Sequence, residues 1–261
     1  MQSPVKNSIV CMLLLSLILG HAEAAPSREY FEFRTYRFKS LAQEERMEAY
    51  LQKALMPALH RLGMKKIGVF KPIDTDSTYG KKIFLFMAFS SLAEIEQLSG
   101  KLETDKQYLA DGEDYINAPY DNPPYARFET TILKAFTGMP ESAVPMLKSM
   151  VKERVYELRS YEGYTEKIYQ NKVQMFNAGD EVGLFKRLGF NAVFYAEVIA
   201  GSTMPNLMYM TTFENQASRD QHWKAFGEDP QWKKLVAMPE YQHNVSKHVI
   251  YFLRPTSYSD I

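Results

Sequence analysis

Tyr30-Phe31-Glu32-Phe33-Arg34-Thr35-Tyr36 and Val155-Tyr156-Glu157-Leu158-Arg159-Ser160-Tyr161 are two versions of one stretch in the 261-residue chain. Each alternates apolar and polar residues, the pattern of a half-buried β-strand. Successive strand side chains point to opposite faces, so Phe31, Phe33 and Thr35 share one face while Glu32, Arg34 and Tyr36 share the other. In the later copy Tyr156, Leu158 and Ser160 oppose Glu157, Arg159 and Tyr161. One face is built to pack, and the other carries a Glu-Arg-Tyr row.

The surroundings of the two strands also repeat. After the first, Ser40 and Gln43 open a helix in capping-box fashion, Leu51, Leu55, Leu59 and Leu62 follow at helical spacing, Pro57 is expected to bend it and Gly63 to close it. Strands are predicted over 66–73 and 82–89, joined by the turn-forming stretch 74–80. A second helical region starts near Leu92, and a fourth strand spans 127–136 after a Pro-rich loop. A connector at 137–152, with a short helix expected over 144–150, leads into the same order again. Strands are predicted over 155–161, 192–199, 207–213 and 246–253, with helices over 165–188 and from Ala217. Tyr161 follows Tyr36 by 125 residues, Gly189 follows Gly63 by 126, and Phe213 and Asp229 follow Phe89 and Asp105 by 124. So steady an offset marks an old tandem duplication.

The unit β-α-β-β-α-β folds into a four-stranded antiparallel sheet with both helices on one face, the ferredoxin-like arrangement. If Phe31 and Phe33 meet the helices, the Glu-Arg-Tyr rows lie on the open face. Two such sheets in one chain are then expected to curl into an eight-stranded barrel with the rows inside. The fold class is α+β, two tandem ferredoxin-like repeats forming one barrel within the chain. The expected organisation is a signal peptide at 1–24, a first repeat at 25–136, a connector at 137–152 and a second repeat at 153–261.

Composition bounds the function. Lys plus Arg and Asp plus Glu both number 31, and 46% of residues are hydrophobic, so no charge excess favours nucleic acid. Lys6, the apolar run 9–19 and Ala22-Glu23-Ala24 form a secretory signal with cleavage expected near Ala24-Ala25, too short an apolar run for a stable membrane span. The expected address is periplasmic or secreted. The single Cys11 falls inside that segment, which leaves no thiol or disulfide chemistry in the exported chain.

Tyr156-Glu157-Leu158-Arg159-Ser160-Tyr161, followed by Arg219 after a strand and then by Asp229-Pro230-Gln231-Trp232, resembles the NIPSNAP family. Its domains belong to the dimeric α/β barrel group. The first repeat departs from the pattern: Ile95 stands at the Arg position, and Asp105-Lys106-Gln107-Tyr108 at the Asp-Pro-x-Trp position. The resemblance implies a binding or scaffolding protein without agreed chemistry. The wider barrel group adds cofactor-free and haem-dependent monooxygenases and small-molecule lyases.

Candidate ligand-binding residues are Arg34, Tyr36, Glu157, Arg159, Tyr161, Arg219 and His248. A buried Arg must be paired or must hold an anion, so the rows read either as cross-strand ion pairs or as a ligand site. His248, on a predicted barrel strand, is the histidine suited to a haem ligand or general base. No His or Cys spacing suits a metal, and no catalytic residue or cofactor is assigned. Asp229-Pro230 reads as an N-cap with Pro in the first helical turn. Phe84, Phe86, Met208, Tyr209 and Met210 read as core. The leading expectation is a small, partly apolar ligand, an anionic group among the options, held in the tandem barrel. A monooxygenase and a protein-interaction module are the alternatives, and homo-oligomerisation is left open.

Overall fold

The computed structural model describes residues 27–261. The signal segment, its cleavage point and Cys11 lie outside the described residues. The first four strands are β1 (Tyr30–Arg37), β2 (Gly68–Pro72), β3 (Lys82–Phe89) and β4 (Arg127–Ala135). Helix α1 (Leu41–Tyr50) passes through a π-helical turn at Leu51–Leu55 into α2 (Met56–Arg61), and α3 (Leu92–Glu103), α4 (Lys106–Asp111) and α5 (Glu113–Ile116) precede β4. The π-turn lies just before Pro57, whose missing N–H cannot continue the regular ladder. Gly63 ends the segment at a φ of 86°, in the left-handed region where a Cβ is penalised.

The order then repeats as β5 (Val155–Glu162), α6 (Glu166–Asn177), α7 (Glu181–Arg187), β6 (Asn191–Ala200), β7 (Asn206–Phe213), α8 (Gln216–Glu228), α9 (Pro230–Val236) and β8 (Lys247–Pro255). The caps repeat with it. Ser40 and Thr165 cap α1 and α6, Ser91 and Asn215 cap α3 and α8, and Asp105 and Asp229 cap α4 and α9, each accepting a backbone N–H of the first turn. The helix expected over 144–150 does not form; one 3-10 turn at Val151–Glu153 is the helical piece of the connector.

Eight antiparallel strands close into a barrel in the order β1-β3-β2-β8-β5-β7-β6-β4. Within each repeat the first strand is central, β1 between β3 and β4 and β5 between β7 and β8. The two sheets join where β2 meets β8 over Phe70 to Pro72, and where β4 meets β6 over Ile132 to Ala135. Each sheet thus covers the edges of the other, which removes exposed strand edges.

The phase of the strands is the reverse of the sequence expectation. Phe31, Phe33, Phe84, Phe86, Phe194 and Leu158 fill the barrel interior as one apolar cluster. Phe86 stacks on Phe194 with ring centroids 5.1 Å apart and meets Phe31 at the same distance. Tyr36 packs with Leu51, Leu55 and Leu98 in the helix-facing layer of the first repeat, and Tyr161 with Phe176 and Phe226 in that of the second. The Glu-Arg-Tyr rows therefore face the helices. The interior is crowded with phenyl rings, and the helix layer supplies the charged rows with their partners.

Candidate functional site

The second repeat shows the row fully satisfied. Glu157, whose side chain is completely buried, accepts from Arg159 Nε at 2.6 Å, Arg219 Nε at 2.7 Å and Trp223 Nε1 at 2.9 Å. Arg159 also donates to the Tyr161 hydroxyl at 2.9 Å, which bonds to the Tyr209 hydroxyl at 2.7 Å. The indole of Trp223 lies over the Arg159 guanidinium, 3.7 Å from ring centroid to Cζ. β5 presents the row at every second residue, and one turn of α8 brings Arg219 and Trp223, spaced i and i+4, onto it.

Electrostatics follow from that geometry. Burial pushes Glu157 up, but the hydrogen bond from Arg219 and the charges of Arg159 and Arg219 bring its carboxyl below the usual range. Burial works against the charge of Arg159, and the neighbouring Tyr209, Tyr161 and Glu157 more than offset it. Burial sends the Tyr209 phenol well above its ordinary value. His248 sits at the start of β8 with its ring edge-on to Tyr161 at 4.5 Å, and desolvation, Arg159 and Lys172 all lower its pKa. A group whose donors and acceptors are met this completely is a structural knot.

The first repeat has the same row and fewer partners. Glu32 accepts from Arg34 Nε at 2.5 Å, and that is its ion pair among the described residues; its Oε2 is buried without a hydrogen-bond partner. At the constant offset of 124, Ile95 stands where Arg219 does and Ser99 where Trp223 does. A cavity of about 560 Å³ lies beside Arg34 and Ser99, between β1, helices α3 to α5 and the Pro-rich loop at 117–126. The Arg34 side chain keeps 23% of its surface exposed, against 12% for Arg159. Tyrosines line one wall: Tyr50 bonds to the Tyr108 hydroxyl at 2.8 Å and stacks on Tyr115 at 3.6 Å. Burial raises the pKa of both Tyr50 and Tyr115, so they stay neutral phenols.

Of the seven sequence candidates, the structure gathers Glu157, Arg159, Tyr161 and Arg219 into the satisfied knot, with His248 against it, and sets Arg34 and Tyr36 apart in the first repeat. None faces the barrel interior. Sequence reasoning passed over Trp223, Ser99, Tyr50 and Tyr115. The constant offset that pairs Ile95 with Arg219 also pairs Ser99 with Trp223, so that signal was in reach. The tyrosine wall, drawn from α1, α4 and α5, had none. A smaller opening of about 400 Å³ beside His248 is lined by Lys172 and Trp232, the Lys172 ammonium being tied to Glu181 at 2.9 Å. No group of three His, Cys, Asp or Glu suited to a metal occurs among the described residues. Nor is any helix there long and apolar enough to cross a membrane.

Residues 156–260 match the NIPSNAP family model. No curated protein matches the chain in sequence. Among solved structures, a proposed monooxygenase from Lactobacillus acidophilus superposes with a TM-score of 0.56 at 11% identity, covering 87% of this chain and 94% of that one. A second proposed monooxygenase, from Fusobacterium nucleatum, gives 0.54 at 7%, covering 88% and 93%. An anthrone oxidase-like protein gives 0.52 at 9%, covering 89% and 93%. Identities this low establish the barrel fold and nothing of the chemistry.

Proposed function

We propose, from the match of residues 156–260 to the NIPSNAP family model, that the chain is a binding protein in which the second repeat is the structural partner and the first repeat holds the ligand. The ligand is a small, partly apolar molecule with an anionic group, seated in the cavity over Arg34. One observation carries this reading: the cavity opens where the second repeat has Trp223 lying on Arg159, and its floor is an arginine with donors to spare. A guanidinium has five N–H donors; Glu32 takes the Nε one and the Tyr36 hydroxyl meets another. The remaining donors suit a carboxylate or a similar planar anion. The cavity volume falls within the range of small-molecule sites, roughly 300–1,000 Å³.

The reading extends to an exported protein, given the signal-like residues 1–24. Native mass spectrometry of gently purified protein tests the ligand. A stoichiometric bound mass is expected in the parent and is expected to be lost in Arg34→Met/Glu32→Gln, which removes both charges of the pair together and so avoids stranding a buried carboxylate. The reading is overturned if this folded double variant carries the same mass at the same occupancy. A stoichiometric Soret band with no other bound mass would also count against it.

A further inference from the structure

The barrel interior differs between its two ends. Inward-facing residues at one end are aromatic or aliphatic: Phe31, Phe86, Leu133, Tyr156 and Phe194. At the other end the same strand faces turn polar. There a cavity of about 220 Å³ is lined by the C-terminal ends of β1 and β5 and the N-terminal ends of β3, β4, β7 and β8. Strand alternation makes its residues one set, Phe33, Thr35 and Arg37 along β1 and Leu158, Ser160 and Glu162 along β5. Arg34 lies on the opposite face of β1, so this cavity and the one in the first repeat are separate sites.

The walls are layered. The floor has Phe33, Phe84 and Tyr251 on one side and Leu158, Val198 and Met208 on the other. Phe84 lies 5.8 Å from Phe33 and 5.1 Å from Tyr251 between ring centroids, and the Tyr251 hydroxyl accepts from Lys82 Nζ at 3.0 Å, which fixes the three rings as one wall. Above the floor runs a polar tier. Asn206, only 2% exposed, donates from Nδ2 to Ser160 Oγ at 2.8 Å and to Thr203 Oγ1 at 3.2 Å. Across from them, the hydroxyls of Thr35 and Thr131 line the cavity with no hydrogen-bond partner among the described residues. The rim carries two ion pairs, Arg37 with Glu129 at 2.8 Å and Lys247 with Glu162 at 3.4 Å.

Each layer limits what the cavity takes. Every rim charge already faces its opposite, so an ionic ligand would have to compete with a pair and a neutral one would not. The tier offers groups that both donate and accept, on both sides of the mouth, which suits a molecule with hydroxyls around its edge. The aromatic wall suits an apolar C–H face. At about 220 Å³ the space is smaller than the roughly 300 Å³ at which drug-sized sites begin, so it takes a single ring.

We propose that this end of the barrel binds a neutral polyhydroxylated ring of monosaccharide size, its C–H face on Phe84 and Tyr251 and its hydroxyls on Thr35, Thr131 and the Ser160–Asn206 pair. The site does not depend on the anion reading for Arg34.

Met208 in the floor supplies a local probe: the full chain, labelled with ¹³C at the methionine methyls, is titrated with D-glucose, D-galactose, D-mannose and cyclohexanol. At least one hexose is expected to shift the Met208 methyl saturably at millimolar concentration, and cyclohexanol to bind about tenfold more weakly than that hexose. Thr35→Val/Thr131→Val removes two hydroxyls at nearly constant volume and is expected to weaken the hexose about tenfold; Ser160→Ala serves if that variant folds poorly. A Met208 methyl unmoved by all three hexoses would overturn the proposal. So would cyclohexanol binding as tightly as the best hexose, or undiminished hexose binding in the folded hydroxyl variants. A saturable shift confined to Met47, in the helix-facing layer of the first repeat, would place the sugar elsewhere and overturn it too.

Discussion

Arg34 and Arg159 occupy equivalent positions, yet their loss should have unequal consequences, and the more exposed of the two should matter more. Arg34→Met leaves Glu32, with a side chain 5% exposed, without a counter-charge among the described residues. Breaking a buried pair from one side costs about 3–5 kcal/mol, and the partial exposure of Arg34 places this case near about 3 kcal/mol. Arg159→Met leaves Glu157 with Arg219 at 2.7 Å and Trp223 at 2.9 Å, so the carboxylate keeps one full charge partner and two strong donors. The loss is then of one charged hydrogen bond and a ring contact, about 1.5–2 kcal/mol. For a chain of this size, with about 2–4 °C per kcal/mol, the expected drops in Tm are roughly 6–12 °C for Arg34→Met and roughly 3–8 °C for Arg159→Met. Thermal unfolding of ligand-free protein at pH 7, followed by circular dichroism, measures both. Glu32→Gln added to Arg34→Met should recover about half of the larger loss by removing the stranded charge. An Arg159→Met drop equal to or greater than that of Arg34→Met, or no rescue by Glu32→Gln, would refute the reasoning that redundancy of donors, and not burial alone, sets the cost.

Because the folded-state pKa of Glu157 is depressed, the stabilisation it brings is fully present above the ordinary carboxylate range and is lost as pH falls through the lower folded value. Glu157→Gln should therefore flatten the acid limb of a Tm-against-pH curve between about pH 5 and pH 2, and superimposable limbs would contradict the assignment. Phe86→Ala empties the centre of the barrel, where the ring meets both Phe31 and Phe194 at 5.1 Å; a loss of about 3–5 kcal/mol is expected by denaturant titration, and a loss below about 1 kcal/mol would mean the interior is not the core described. Residues 27–136 expressed alone would expose the Phe31, Phe33, Phe84 and Phe86 face, so light scattering should find dimers or larger species; a stable monomer would show that the inner face does not need the other repeat.

The sequence by itself determined the element order, the duplication and the closed barrel of tandem ferredoxin-like repeats. These are encoded locally, in alternation along β1 and β5, in caps such as Ser40, Asp105 and Asp229, in Gly63, and in an offset of 124 to 126 residues that places Phe213 after Phe89 and Gly189 after Gly63. The Asp229-Pro230 helix start could be read for the same reason, since a cap and its first turn lie within four residues. Only the tertiary structure decided which strand face turned inward. Alternation separates Phe31 and Phe33 from Glu32 and Arg34 without saying which set meets the helices, and both faces of a barrel strand beneath helices are covered. The choice is made by long-range partners. Phe84, Phe86 and Phe194 fill the interior from two other strands, β3 and β6, while Arg219 and Trp223 of α8 offer Glu157 the donors that the phenyl-filled interior lacks. The cavity over Arg34 was settled in the same way. It depends on phenols from three helices converging beside Arg34, a matter of distance in space that strand and helix periodicity do not encode.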